Sequence, residues 1–342
     1  MGICISSESF EIHAIDYGHE NLVHYEDNNN NNGANCCQQI GSVYTQQGSK
    51  GLNQDSAILY QGFRVENGVF GGVFDGHGKN GQTVSKLIMN KLPSLLLKHI
   101  LSLPKITSPK QNVKEVDESV KNKNFNKWKK ACLSSFKMVD KEIKSLEKLD
   151  CSCSGTTAVV VIRQDDDLVI ANLGDSRALL GRKTDEGTIE AVQLTTDLKP
   201  SLPSEAERIR KCGGRVLALE KEAHIQRVWL PHEDAPGLAM SRAFGDFMLK
   251  NYGIISRPDV SYHHLSSNDQ FLVLATDGVW DVLSNDQVVS IVCSTNDGAA
   301  AAKAVVEASI DAWKQKFPNT KRDDCTAICL FLQQRASLQN ST

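Results

Sequence analysis

The sequence predicts an α+β fold of antiparallel sheets flanked by pairs of α-helices, and three observations carry that prediction. Short apolar runs bounded by Gly or Asp recur along the chain, as strands do. They come in clusters joined by short turns. Amphipathic stretches stand between the clusters instead of after every strand, which is not the alternation of a doubly wound parallel sheet. The 342 residues, 40% hydrophobic and 23% charged, are those of an ordinary globular protein and can hold one large domain or two small ones.

Taken in order, residues 8–34 hold an Asn run, Asn28 to Asn32, with scattered charge and no period, so a disordered spacer is expected there. Strand-like runs begin near Ile40 with "IGSVYTQQ", "DSAILYQ" and "GVFGGVFD". After "NGQTVSKLIMNKL", read as a helix, residues 101–124 are rich in Lys, Ser and Asn and are expected to be an exposed insertion. In "FNKWKKACLSSFKMVDKEIKSL" the residues Trp128, Cys132, Phe136, Val139, Ile143 and Leu146 recur every three or four positions, a buried helical stripe with lysines opposite. A second strand cluster follows: "TTAVVVIR", "DLVIANLG", "SRALLGR" and "TIEAVQL". The helix "SEAERIRKCGG" is expected to open on a capping box of Ser204 and Glu207 and to close at Gly213. The strands "FLVLATD" and "CTAICLFLQ" enclose two further helices, "SNDQVVSIV" and "DGAAAAKAVVEASIDAWKQKF".

A formal net charge of −3 with no long Lys or Arg block excludes a nucleic-acid partner. Ten cysteines without a signal segment point to a reducing, intracellular compartment. The pairs Cys36-Cys37 and Cys151/Cys153 lack zinc-finger partners, and Cys132, Cys212, Cys293, Cys325 and Cys329 are expected as small core residues. Nowhere do eighteen apolar residues run together. The start, "MGICIS", exposes Gly2 for N-myristoylation with Ser6 at the favoured position, and Cys4 lies close enough for a palmitoyl group. Two acyl chains hold a protein to a membrane where one holds it marginally. Plasma-membrane association is expected if Gly2 is acylated, and a cytoplasmic or nuclear location otherwise.

Acids just beyond the ends of apolar strands are costly, because an unpartnered buried carboxylate is unfavourable by several kcal/mol or shifts its pKa until it is neutral. Four such places stand out: Asp55 in "KGLNQDS", Asp75 in "FDGHG", Asp277 and Asp281 in "LATDGVWD", and Asp323-Asp324 in "KRDDCTAICLF". A single Asp-Gly is more often a turn former than a ligand. Four acids ending strands in one chain shift that balance, and an oxygen-rich set suits hard ions, Mg2+ or Mn2+, rather than zinc or copper.

At these residues the chain resembles the metal-dependent type 2C (PPM) Ser/Thr protein phosphatases. "KGLNQDS", "FGGVFDGHGKNG", "CSGTTAVVV", "ANLGDSRALL", "TTDLKPSLPSEAERI", "CGGRV", "GLAMSRAFGDF", "ISRPDV", "LATDGVWDVLSN" and "RDDCTAICL" follow that family's motif order from about residue 40 to 333. "RVWLP" before "DAPGLAM", with the acylatable N-terminus, is similar to plant members. The resemblance implies a β-sandwich of two antiparallel sheets with helices outside, a catalytic domain over 39–335, an N-terminal tail over 1–38 and a flexible C-terminal tail over 336–342. It also implies hydrolysis of phosphoserine and phosphothreonine proteins by a monomer, through a water or hydroxide shared by two Mg2+ or Mn2+ ions.

In that reading Asp75 bridges both ions, the Gly76 carbonyl contributes to one, and Asp277 and Asp323 complete the other. Asp55 holds metal-bound water. Lys50 stands where the family often has a phosphate-gripping arginine, and gives a point charge in place of a fork. His77 is expected to protonate the leaving group, or else to orient Asp75 or a water. Asp175 and Arg177 in "GDSR", and Asp246 in "AFGDF", are expected to be structural. Asp281 is near enough to Asp277 to touch a weak third ion, but Ser152 replaces the acid some relatives carry there. Gly76 would let its carbonyl approach an ion without a side chain in the way. Trp229 in the flap over 220–236 either marks a partner surface or packs beneath the flap. The rival to an enzyme is a catalytically inactive, membrane-tethered binding module of the same fold. A metal-dependent nuclease is set aside for want of a basic track.

Overall fold

The computed structural model describes residues 23–25, 40–65, 68–103 and 118–333. In chain order the strands are β1 (Val23–Tyr25), β2 (Gly41–Gln46), β3 (Asp55–Gln61), β4 (Val69–His77), β5 (Gly155–Thr156), β6 (Ala158–Gln164), β7 (Asp167–Leu173), β8 (Arg177–Lys183) and β9 (Ile189–Gln193). They continue with β10 (Arg215–Ala218), β11 (Gln226–Trp229), β12 (Pro236–Leu238), β13 (Phe244–Gly245), β14 (Asp259–His264), β15 (Asp269–Ala275) and β16 (Cys325–Phe331). The helices are α1 (Gly81–Ser102), α2 (Glu118–Lys144), α3 (Pro203–Lys211), α4 (Asp277–Trp280), α5 (Asn285–Ser294) and α6 (Ala301–Lys316).

Two sheets stack face to face. One runs β1-β3-β4-β6-β7-β14 with β5 and β13 attached beside β4, and the other runs β2-β16-β15-β8-β9. Every described pairing in them is antiparallel except β1 with β3. Because side chains alternate faces along a strand, each strand feeds two cores. In β4, Val69 and Val73 face the other sheet, while Phe70 and Phe74 face α1 and α2. In β15, Leu272 and Leu274 point into the sandwich, and Phe271, Val273 and Ala275 point toward α5 and α6. The result is four layers, helix–sheet–sheet–helix, in which each fully buried large aliphatic contributes about 1.5–3 kcal/mol. β10, β11, β12 and α3 form a flap with a small core of their own around Ile209 and Val228.

Several expectations change here. α3 begins at Pro203, whose fixed φ suits the first helical position, so Ser204 makes no capping box and Glu207 instead pairs with Lys211 at 2.7 Å. The capping box occurs at Ser284 and Gln287, opening α5. α1 runs through Pro93 to Ser102, and α2 starts at Glu118, inside the stretch read as an insertion; residues 104–117 lie outside the described residues. α2 ends at Lys144, which leaves Leu146 exposed. Cys212 and Cys293 are exposed, whereas Cys132, Cys325 and Cys329 are buried as expected. Of the expected tail only Val23–Tyr25 is described, as a strand paired in parallel with Leu59–Gln61; Gly2 and Cys4 lie outside the described residues. Among the described residues no helix is long and apolar enough to cross a membrane.

Candidate active site

The alternation that builds the sandwich also carries the acids to one end of it. Asp55 continues the inward row of Ala57 and Leu59, Asp75 that of Val69 and Val73, and the two are Cα partners across β3 and β4. From the facing sheet, Thr276 follows Leu272 and Leu274, and Thr326 precedes Ile328 and Leu330. Both threonine hydroxyls donate to Asp55 Oδ2, at 2.9 and 2.6 Å, so one buried carboxylate clamps the two sheets together. Burial pushes its pKa up to about 8, with the charges of Asp324 and Asp323 adding to the rise and the threonine hydrogen bonds offsetting part of it.

Asp75 is fixed through its backbone: its N–H donates to Thr157 Oγ1 at 3.1 Å and its carbonyl accepts from Thr157 N–H at 2.9 Å. Burial, then the charges of Asp277, Asp55, Asp323 and Asp175, hold its carboxyl well above the usual carboxylate range. Asp277 opens α4 and is raised in the same way by burial and by Asp281, Asp323 and Asp175. The acids are electrostatic neighbours rather than a closed cage: among the described residues no three His, Cys, Asp or Glu side chains are arranged to hold an ion as they stand. The donor chemistry fits a hard divalent cation, which keeps several waters and takes few carboxylates. Asp55, Asp75, Asp175, Asp277, Asp281, Asp323 and Asp324 are opposed in the cluster by Lys50, which donates to Asp323 Oδ2, and by Lys199. An added cation offsets that excess of negative charge.

Two expectations are refined at this end. Gly76 is also needed for close backbone approach: a Cβ there would collide with the carbonyl oxygens of Gln54, before β3, and of Gly81, at the start of α1. Asp324, next to the predicted ligand Asp323, is committed to the loop before β3, accepting from Gly48 N–H at 2.7 Å and Gln54 N–H at 2.8 Å.

Asp246, expected to be only structural, holds His77. Its Oδ2 lies 2.7 Å from His77 Nε2, and the carboxylate is almost wholly buried. Burial pulls the His77 pKa down, but the charge and hydrogen bond of Asp246, with the charge of Asp175, together outweigh it and leave it above the ordinary histidine value. Asp246 adopts a left-handed backbone at φ 49°, a conformation costly for a residue with a side chain. Gly155 makes room for the contact, since a Cβ there would press on Asp246 Oδ2 and come within 2.9 Å of His77 Nε2. The other ring nitrogen, Nδ1, is buried and without a hydrogen-bond partner among the described residues.

Arg177 does not pair with Asp175; it forms a two-pronged pair with Asp197, at 3.0 and 2.6 Å. The cation beside Asp175 is Lys199, 3.8 Å from Asp175 Oδ2 and 3.6 Å from Asp281 Oδ1, which no sequence pattern singles out. Ser152 brings no acid: its N–H donates to Asp150 and its carbonyl accepts from Met248. The open question over Trp229 resolves toward packing. The ring is buried against Gly237 and its Nε1 donates to the Leu217 carbonyl at 3.0 Å.

Comparison with known proteins adds three findings. The sequence profile of the family described as Protein phosphatase 2C matches residues 45–316. "Probable protein phosphatase 2C 72" of Arabidopsis thaliana is 52% identical over 98% of this chain and 99% of its own length, and "Probable protein phosphatase 2C 12" of Oryza sativa subsp. japonica is 46% identical over 97% and 92%. Among solved structures, the serine-threonine phosphatase 2C from Toxoplasma gondii superposes with a TM-score of 0.73 at 27% identity, covering 85% of this chain and 94% of that one.

Proposed function

The chain belongs to the protein phosphatase 2C family and is a serine/threonine protein phosphatase, and from that premise we propose how its residues divide the work. Two Mg2+ or Mn2+ ions would be held by Asp75, the Gly76 carbonyl, Asp277 and Asp323. When bound, such ions acidify a water and neutralise charge on a phosphoryl group. Asp55, clamped by Thr276 and Thr326, orients water at the base of the site. Lys50, seated on Asp323, offers a phosphoryl oxygen a positive charge at the mouth.

In the reaction a P–O bond forms from water and the bond to the seryl or threonyl oxygen breaks, and phosphoryl transfer of this kind needs positioning and charge more than covalent chemistry. His77 gives the departing oxygen its proton. Nε2 is held by Asp246 and Nδ1 is buried, so the ring would have to turn one of its nitrogens toward the substrate to do so. The products are the free hydroxyl and inorganic phosphate.

The observation that supports this reading is the crowding of Asp75 and Asp277 with further acids at one end of the sandwich, each held above its usual pKa. We also infer weak binding at most of a third ion near Asp281, a monomer, and membrane tethering through acylated Gly2 and Cys4, the last supported by the motif "MGICIS". Purified protein assayed on a phosphothreonine peptide should turn over with Mn2+ and stop with EDTA, and calorimetric titration should count two ions. EDTA-insensitive turnover would remove the metal assignment. Mass spectrometry of protein from its native cells tests the tether, and a free or acetylated Gly2 refutes it.

A further inference from the structure

A cavity of about 340 Å3 lies between α2, α3 and the segment leading into β14, lined by Lys129, Leu133, Arg208, Arg242, Arg257 and Asp259 among others. Its cations are of two kinds. Arg208 and Arg242 are locked onto Glu205, at 2.7 Å each, and onto backbone carbonyls: Arg208 reaches Gly253 and Ser241, and Arg242 reaches Arg257. Each guanidinium carries five N–H donors, and each spends three of these on the described contacts. Lys129 and Arg257 have no ion pair with a described side chain; Lys129 lies over the Phe125 ring, and Arg257 is exposed. Against these four cations stand Glu205 and Asp259, so the cavity is positive by two charges.

We propose that this cavity is a second phosphoryl-binding site, which takes a phosphorylated side chain of the substrate protein other than the one being hydrolysed. The inference rests on the phosphatase reading and names a substrate class for it: multiply phosphorylated proteins. Fixed arginine forks with donors to spare, joined by two cations that have no ion pair among the described residues, match a dianion with several acceptor oxygens. The apolar part of the lining, Leu133, Ile255, Pro258 and Val260, suits the carbon stem of a protein side chain and does nothing for a free ion. The cavity also lies close along the chain to the catalytic end, since Arg242 is followed by Ala243, β13 and then Asp246, which holds His77.

The test is the Lys129→Ala, Arg257→Ala double variant of the full chain, which spares Arg208 and Arg242 and therefore the Glu205 network. Three substrates are compared with Mn2+ present: multiply phosphorylated casein, a neutral peptide with one phosphothreonine, and p-nitrophenyl phosphate. The KM for casein should rise about tenfold while the other two substrates are turned over as before. An unchanged casein KM, or an equal loss on the single-phosphate peptide, overturns the proposal. So does weaker inhibition by inorganic phosphate in the double variant, which would mark a free-anion site. Absence of p-nitrophenyl phosphate turnover in the unaltered chain would instead count against the phosphatase reading, and so separates the two failures.

Discussion

His77 Nε2 and Asp246 Oδ2 lie 2.7 Å apart although the residues are 169 positions apart in the chain. Three features of the structure accommodate that contact: the buried carboxylate, its left-handed backbone, and the absence of a side chain at Gly155. If His77 is the proton donor, its loss must hurt most where the leaving oxygen is a strong base. His77→Ala should slow turnover of phosphoserine peptides about 100-fold and barely change that of p-nitrophenyl phosphate, whose leaving group needs no proton. Asp246→Asn should show the same split at about tenfold, because the ring loses the partner that orients it. Equal losses on both substrates would mean that the pair serves only the fold.

Asp75, proposed above as an ion ligand, is poorly placed for stability. Its carboxyl is raised by burial and by four neighbouring acids, so the charged form is unfavourable in the folded chain when no divalent ion is present. Asp75→Asn removes that charge while keeping the shape. In EDTA the variant should melt higher than the native chain, by about 2–4 °C for each kcal/mol of relieved repulsion. Added Mn2+ should raise the Tm of the native chain and leave the variant's unchanged, while phosphatase activity is lost. A lower Tm in EDTA would show that the acids are not in conflict.

The Glu205 carboxyl is shifted the other way, downward. Burial alone would raise its pKa, but hydrogen bonds from Arg242, Arg208 and Ser241 outweigh it and bring the value down from 4.5 to about 2. A carboxyl with a lowered folded pKa stabilises fully above its unfolded value and loses that contribution as pH falls toward the folded one. Between about pH 6 and about pH 3 the native chain should therefore lose about 2 kcal/mol more stability than Glu205→Gln, measured by urea unfolding. Parallel losses in the two proteins would show that the arginines do not hold the carboxylate charged.

The strands and helices were legible where burial imposes a period, and the acids were legible because a carboxylate ending an apolar run has no cheap structural explanation. What escaped depends on contacts between distant segments or on elements with little apolar pattern. β14, with the sequence DVSYHH, is an edge strand that buries only part of one face, so its alternation is faint. Asp246 in "FGDF" looks like a turn former until the fold brings His77 to it. Arg177 sits two residues from Asp175, yet its guanidinium reaches Asp197 instead, because Asp175 lies in the turn before β8 whereas Asp197 follows β9, the strand paired alongside β8. Ser204 has the residue type of a cap, but Pro203 before it is already the first helical residue.

Lys199 bears on the third ion proposed near Asp281 in the same physical terms. Its ammonium stands 3.6 Å from Asp281 and 3.8 Å from Asp175, whose pKa is pushed up to about 6 by burial, an effect that Lys199 partly offsets. At such separations two unit charges interact by about 4 kcal/mol in a partly screened site. A tethered cation there repels an incoming ion and has already taken up the carboxylates it would use, while Ser152 supplies no replacement acid. Replacing the ammonium by an uncharged chain of similar length, Lys199→Met, frees both carboxylates. Calorimetric titration with Mn2+ should then reveal an additional ion, bound at least about tenfold more tightly than any weak third ion in the native chain. An unchanged isotherm would mean that the missing acid at Ser152, and not the lysine, is what keeps that position weak.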